Sequence, residues 1–443
     1  MPALAADGFF GRLFAWRAGT RAPPAVSTRP SSDKVEPRFV QGPARQPRDA
    51  GRAAPNEAFT PTRPRPGRRL IGRQRELERI LRALVEEQAH VVLYSERGRG
   101  KTSLANLVVD SLRRAGVIVA RHTCEAGTTF DSLLRGLARD LPVALLASAA
   151  AALDGTQGCE AALPAGPLRP RDVVALPSHL TCRGLICVVD EFDRIEDTAA
   201  RTLLADSIKQ LSDQGVPLAF MIVGVSENLE QILGQHPSIQ RALVSVDLRL
   251  LPDTEVGDLI VRGGYDMGLT FAPSVIARVV DQARGMPYVA QLMGLRLAQA
   301  AAAEGKKFLD DADFDAVVMH MIEETPPRVA ALYAAMTANG RDGEMIAVLT
   351  RIATAGQDAW GRLQVSGTSD GGLMIEGMRV SPSIWRRLEA AELLNASDAG
   401  PDHVTFGQRG LMHYVLLLAA RDGASQAAAS SVPVRMPYVV SGS

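Results

Sequence analysis

A chain of 443 residues, 46% hydrophobic and 22% charged, has the length and apolar content for two or three domains with cores of their own. Its formal net charge of zero excludes a uniformly polyanion-binding surface. No apolar stretch reaches the ~18 residues of a membrane span, and Cys124, Cys159, Cys182 and Cys187 match no C-x-x-C metal or redox spacing, as expected of reduced thiols in a cytoplasmic protein.

Charge is unevenly spread. Residues 1–69 hold 13 Arg/Lys against 5 Asp/Glu, residues 70–324 hold 26 against 34, and residues 325–443 hold 10 of each. The opening stretch MPALAADGFFGRLFAWRAGTR lacks the long apolar core of a secretory signal. Being Arg-rich and poor in acids, it suits a disordered tail with a short sticky helix, or alternatively a mitochondrial presequence. Residues 20–69 carry 10 of the 27 prolines and little periodic hydrophobicity, so residues 1–69 are expected to form a disordered basic tail. Such a tail serves as a solubilising linker or as a non-specific polyanion binder.

Order is expected from about residue 70. RLIGRQRELERILRAL sets Leu77, Ile80, Leu81 and Leu84 on one helical face. HVVLY (90–94) is a short apolar run, followed by a glycine loop and the helix TSLANLVVDSLRRAG. VIVARHT (117–123) is a second strand, followed by helix FDSLLRGLARDL; GLICVVDEFDRI holds a third, followed by helix AARTLLADSIKQLSDQG. PLAFMIVGVSEN and ALVSVDLRLL supply a fourth and a fifth. Strands apolar throughout and alternating with helices predict an α/β fold over 70–251, a parallel sheet covered on both faces. The stretch 154–172 breaks the pattern and reads as a loop.

Beyond Pro252 the period is helical, and residues 252–324 are expected to form a small helical domain. Further helices follow. SPSIWRRLEAAELL then precedes NASDAGPDHVTFGQ, a helix before a two-stranded hairpin with a long turn. That order predicts a winged-helix-like domain over 325–425, with a flexible tail over 426–443. Its helix offers Arg386 and Arg387 beside Glu389 and Glu392, a weak basis for DNA contact.

The chemistry is concentrated in YSERGRGKTS (94–103). A phosphate-binding loop is written G-x-x-x-x-G-K-[ST], and here Ser95 stands at the first glycine position. That position only lets the chain leave its strand, so a small serine is tolerable there. Gly98 and Gly100 hold the inner positions, where the backbone needs positive φ or the phosphate would meet a Cβ. The expected cradle is Ser95, Gly98, Arg99, Gly100, Lys101, Thr102 and Ser103. Lys101 would reach the β- and γ-phosphates, and the Thr102 hydroxyl would ligate Mg²⁺. The second strand with chemistry, LICVVDE, ends in two acids. Asp190 would hold Mg²⁺ through water, and Glu191 would orient and deprotonate the attacking water.

These motifs resemble those of AAA+ ATPases, nearest the initiator (origin-recognition-like) branch, over roughly residues 70–324. In that family the segment matching LIGRQREL packs near adenine, which implies Ile71 and Gly72 as cofactor contacts. IVGVSEN matches the sensor-1 region, implying Ser226, with Asn228 as the alternative. HPSIQRAL places Arg241 where the family carries an arginine that touches a neighbour's γ-phosphate; otherwise it is a surface arginine. Where initiators carry a sensor-2 arginine, RGMPYVAQLMG has Tyr288. That departure resembles the signalling (STAND-like) NTPases, which hold nucleotide as a switch and hydrolyse slowly. The resemblance implies ATP, Mg²⁺ and homo-oligomers. It leaves two functions open: nucleotide-controlled assembly with protein partners, or DNA engagement as in initiator or transposition-helper ATPases.

Overall fold

The computed structural model describes residues 53–61, 72–147, 158–182, 184–225, 240–369, 371–397 and 400–429. By packing, the described residues from 72 to 248 form one compact unit, and those of 53–61 with 249–429 form another.

The first unit opens with a helix over Gln74–Val85, whose buried Leu77, Ile80, Leu81 and Leu84 are the face marked by their spacing. Five strands follow: β1 His90–Ser95, β2 Ile118–Thr123, β3 Leu185–Asp190, β4 Leu218–Val225 and β5 Leu243–Asp247. All pair in parallel, in the order β2-β3-β4-β1-β5. The alternation of Cβ directions divides their side chains between two cores. Val91, Leu93, Val188 and Met221 pack on one face with the helices Gln74–Val85 and Lys101–Arg114. Val92, Cys187, Val189 and Phe220 pack on the other, with Phe130–Arg139 and Thr198–Gln214. Both faces are thereby closed, so solvent meets the sheet at its strand ends. His90 lies in this interior, 2% exposed, its Nδ1 accepting the Phe220 amide at 2.9 Å. Burial pushes its pKa down to about 4, so the ring stays a neutral acceptor. Within the expected loop 154–172, Cys159, Leu163 and Leu168 are buried, and a helix over Pro170–Ala175 begins before it ends.

In the second unit, helices Asp253–Met267, Pro273–Ala283, Pro287–Glu304 and Asp311–Glu323 pack together, and two-residue strands Thr270–Phe271 and Phe308–Leu309 pair in parallel. Helices Pro327–Met336 and Gly343–Thr354 come next. A strand Arg362–Gln364 then pairs with Gly400–Phe406, itself the antiparallel partner of Leu394–Ser397. The expected hairpin is therefore present, preceded by the helix Pro382–Ala390. A small antiparallel sheet of Ser366–Gly367, Leu373–Ile375 and Met378–Val380 intervenes, in strands too short to show a period in sequence. The closing helix Arg409–Ala429 packs on Asp311–Glu323, so the residues expected as helical domain and as C-terminal domain share one unit.

The tail expected over 1–69 needs a correction for its described part, residues 53–61. Pro55–Ala58 is one turn of helix, and Phe59 behind it is 1% exposed. Its ring lies against Gly263 and Gly294, where a Cβ on either glycine would overlap it. The Thr60 amide donates to Gln291 Oε1 at 2.8 Å. One aromatic anchor in a slot shaped by two glycines thus outweighs the proline-rich average around it. The opening stretch of the chain lies outside the described residues. Phe59→Ala should destabilise this unit by about 3–5 kcal/mol, the cost of emptying a fully buried aromatic site. Urea unfolding followed by tryptophan fluorescence reads it directly, since Trp360 and Trp385 belong to that unit; an unchanged midpoint would sink the anchor.

Candidate nucleotide-binding site

The site is built at the C-terminal ends of β1 and β3, with β4 between them. Beyond Ser95 the chain turns through Gly98 and Gly100, at φ 83° and 90°, and enters the helix Lys101–Arg114. An L-residue rarely adopts these angles, which accounts for glycine at both places. The turn aims the free N–H groups of the helix start, with the positive end of its dipole, into the space above the sheet edge.

Lys101 is 9% exposed and folds back along the loop. Its Nζ donates to Ser95 O at 2.7 Å, to Glu96 O at 2.8 Å and to Ser95 Oγ at 3.3 Å. The serine that replaces glycine is therefore a partner of the lysine. Burial pushes the Lys101 pKa down to about 8, against the opposing pull of Asp193 and Asp190. Thr102 is exposed beside it, and Ser103 is half-buried. Arg99 turns inward: it is 2% exposed, pairs with Glu96 at 2.6 Å and donates to Leu248 O at 3.3 Å. Only its backbone remains available to the cradle.

Asp190 is 4% exposed and both its oxygens are engaged. Oδ1 accepts the Glu191 amide at 2.9 Å, and Oδ2 pairs with Arg121 Nη2 at 2.6 Å. Glu191 sits in the left-handed region at φ 54°, its carboxylate on Arg194 at 2.8 Å. Asp193 accepts the Val225 amide at 2.7 Å, tying the turn after β3 to the end of β4. Burial, with Asp190, Asp193 and Glu191 adding to it, pushes the Cys124 thiol up to about 12, so it is no nucleophile.

Of the residues marked in sequence, the structure gathers Ser95, Gly98, Arg99, Gly100, Lys101, Thr102, Ser103, Asp190 and Glu191 along one edge of the sheet. Gly72, at φ 75°, immediately precedes Arg73, whose Nη2 donates to Arg99 O at 3.4 Å, so the segment before the first helix does reach the loop. Ile71, Ser226 and Asn228 lie outside the described residues. Arg241 is exposed on a turn, Gln240–Ala242, that leads into β5 at the opposite edge. It therefore does not face the loop of its own chain. Tyr288, 42% exposed in the first turn of Pro287–Glu304, belongs to the other unit. Sequence reading missed Arg73, Arg121 and Asp193. Only Asp193 carried a signal, as the third acid of DEFD beyond an apolar strand.

The donor set suits a polyphosphate with a divalent cation: an ammonium and free amides for phosphate, a hydroxyl and a carboxylate as hard oxygen ligands. Residues 69–222 match the family model described as AAA ATPase domain. This segment is an AAA ATPase domain. A search of curated proteins finds no match to the chain. Among solved structures, the chain is similar to three AAA+ proteins over a stretch longer than that domain. The RuvB Holliday junction branch migration motor of Thermotoga maritima is 13% identical, with 72% of this chain and 95% of that one covered and a TM-score of 0.41. Aeropyrum pernix Orc1, solved in complex with DNA, is 16% identical over 81% and 95%, at 0.41. Pyrobaculum aerophilum Cdc6p is 13% identical over 83% and 98%, at 0.44. Likeness at this level says nothing about what this chain acts on.

The left-handed Glu191 costs its ATPase domain on the order of 1–2 kcal/mol in backbone strain. Glu191→Gly should therefore raise the domain's unfolding free energy by about 0.5–1 kcal/mol while removing the carboxylate. Thermal unfolding of variant and parent checks it, and a loss of stability would contradict the strain.

Proposed function

We infer that the chain binds ATP with Mg²⁺ at this loop, hydrolyses it slowly, and uses nucleotide state to control assembly with protein partners. The observation that carries the reading is the turn through Gly98 and Gly100, which delivers a buried lysine and a helix start to the edge where Asp190 ends β3, with β4 between. Lys101 and the loop amides would hold the β- and γ-phosphates, with Thr102 as a ligand for Mg²⁺ and Asp190 holding it through water. The cation would supply charge neutralisation at the phosphates. Glu191, released from Arg194, would orient water and accept its proton, and Ser226 is the polar residue that the family resemblance adds to this step. Arg241, turned from its own site, suits the site of a neighbouring copy in a homo-oligomer. Tyr288 stands where the resembled initiators carry a sensor-2 arginine, a departure that favours a slow switch. Free thiols at the four cysteines fit a cytoplasmic setting.

The second reading is DNA engagement through a winged helix over 325–425, favoured by the strand–helix–hairpin order of 362–406. Its helix is poorly equipped for it. Arg387 is held by Asp342 at 2.7 Å and Met336 O at 2.6 Å, which leaves Arg386 among exposed acids. Protein partners are the better fit.

Turnover of ATP with and without duplex DNA, with Lys101→Ala as the blank, separates the two. Lys101-dependent turnover indifferent to DNA supports the switch, and stimulation by DNA supports the second reading. Unchanged ATP affinity in Lys101→Ala would overturn the site itself. Glu191→Gln should keep nucleotide and lose turnover. Affinity should also depend on pH. Phosphate favours the charged lysine, whose pKa in the free protein is about 8. Binding is therefore at full strength below that value and weakens as pH rises through it, roughly tenfold by pH 9. Titrations with a fluorescent ADP at pH 7 and pH 9 measure the change.

A further inference from the structure

Arg121 is the cation nearest the metal-ligating acid, and no motif of the loop or the acids contains it. It sits on β2, in register with Val188 of β3, so its side chain reaches along the sheet edge to Asp190. One guanidinium nitrogen, Nη2, pairs with Asp190 Oδ2 at 2.6 Å; the other, Nη1, donates to Asn106 Oδ1. Asn106 lies on the helix that starts at Lys101, so one side chain joins the phosphate-loop helix to the strand bearing the acid. The Asp190 side chain is 5% exposed and that of Arg121 is 27% exposed. The carboxylate is therefore fixed in the interior, while the guanidinium lies close enough to water to leave.

A buried carboxylate without a counter-charge is costly, and Asp190 has Asp193 and Glu191 close along the chain. Lys101 donates elsewhere, to Ser95 and Glu96. The ion pair with Arg121 thus supplies the compensating charge when no cation is bound. A divalent cation arriving at the same carboxylate would meet a fixed positive charge on one of its two oxygens, the other already accepting the Glu191 amide.

We propose that Arg121 is a metal-gating residue of the nucleotide site, holding Asp190 in the cation-free state and yielding it when Mg²⁺ binds with nucleotide. The proposal rests on the nucleotide-binding reading above. It makes Arg121 a positioning residue, acting on the cation through Asp190, and it makes Asn106 the second anchor that returns the guanidinium. Exchange of the two cations would loosen the link between the loop helix and β3, so that metal loading is felt along the helix.

The test uses the full-length chain, a fluorescent ADP and MgCl₂. The readouts are the Mg²⁺ concentration that gives half of the metal-dependent gain in ADP affinity, and the melting temperature without nucleotide. In Arg121→Gln the half-saturating Mg²⁺ should fall by about fivefold or more, because a competitor is gone. The nucleotide-free melting temperature should fall as well, because Asp190 loses its counter-charge. Arg121→Lys should restore both toward the parent values. If Arg121→Gln does not fold, Asn106→Ala, which frees one arm and keeps the pair, should shift the Mg²⁺ midpoint in the same direction. A lowered melting temperature with an unchanged or higher Mg²⁺ midpoint would overturn the gate and leave a structural ion pair. A parent chain that binds no ADP would remove the nucleotide reading, and the gate with it; a parent that binds, with variants that match its midpoint, removes the gate alone.

Discussion

Because helices bury both faces of the parallel sheet, its polar chemistry is confined to the strand ends. β3 is buried along all six residues, the last of them Asp190, and β4 along seven of eight, so a charged group earlier in either strand would lie in hydrocarbon. Only where the strands stop can an acid stand in reach of solvent and ligand. With β3 and β4 inserted between β2 and β1, the loop after β1 and the acids after β3 open on one edge, a single strand apart. That is the crevice an open α/β sheet offers a ligand. The glycine turn, the buried lysine and the strained glutamate are consequences of that confinement.

The same confinement explains how the site balances its charges without ligand. Lys101 rests on two carbonyls, Asp190 on a guanidinium and an amide, and Glu191 on Arg194. Each charge thus has a partner within the protein. Such charge-assisted contacts fix the three side chains in place at the strand ends. The neutral His90, deep in the interior, takes no part. It caps the Phe220 amide and stays out of the titrations at the edge.

Elements whose signal is periodic were legible: five apolar runs became five strands, and the face of Leu77, Ile80, Leu81 and Leu84 became a buried helix face. The loop was legible because its glycines answer a backbone requirement, visible as φ 83° and 90°. Residues that act through tertiary contact were not. Arg121 lies in a strand whose alternation says only which way a side chain leaves, and nothing about the carboxylate one strand away. Arg73 comes after a glycine in an arginine-rich stretch where composition singles out none. Phe59 was hidden by averaging, since its neighbours are those of a disordered segment and its slot is made by Gly263 and Gly294, far along the chain. Short strands such as Arg362–Gln364 carry too few residues for a period to register.

That slot also bears on how the chain assembles. The bond from Thr60 to Gln291 spans 231 residues, and the intervening chain contains the whole ATPase domain. During synthesis from the N-terminus, at about 5–20 residues per second, Phe59 emerges roughly 10–50 s before the helices that bury it. The ATPase unit can form first from contacts within itself, while the helical unit stays incomplete until its earliest segment closes back onto Asp253–Met267 and Pro287–Glu304. Completion of the second fold is then a loop closure whose intervening chain carries an already folded domain, and until it occurs an apolar groove between two glycine-faced helices stands open to any segment that fits.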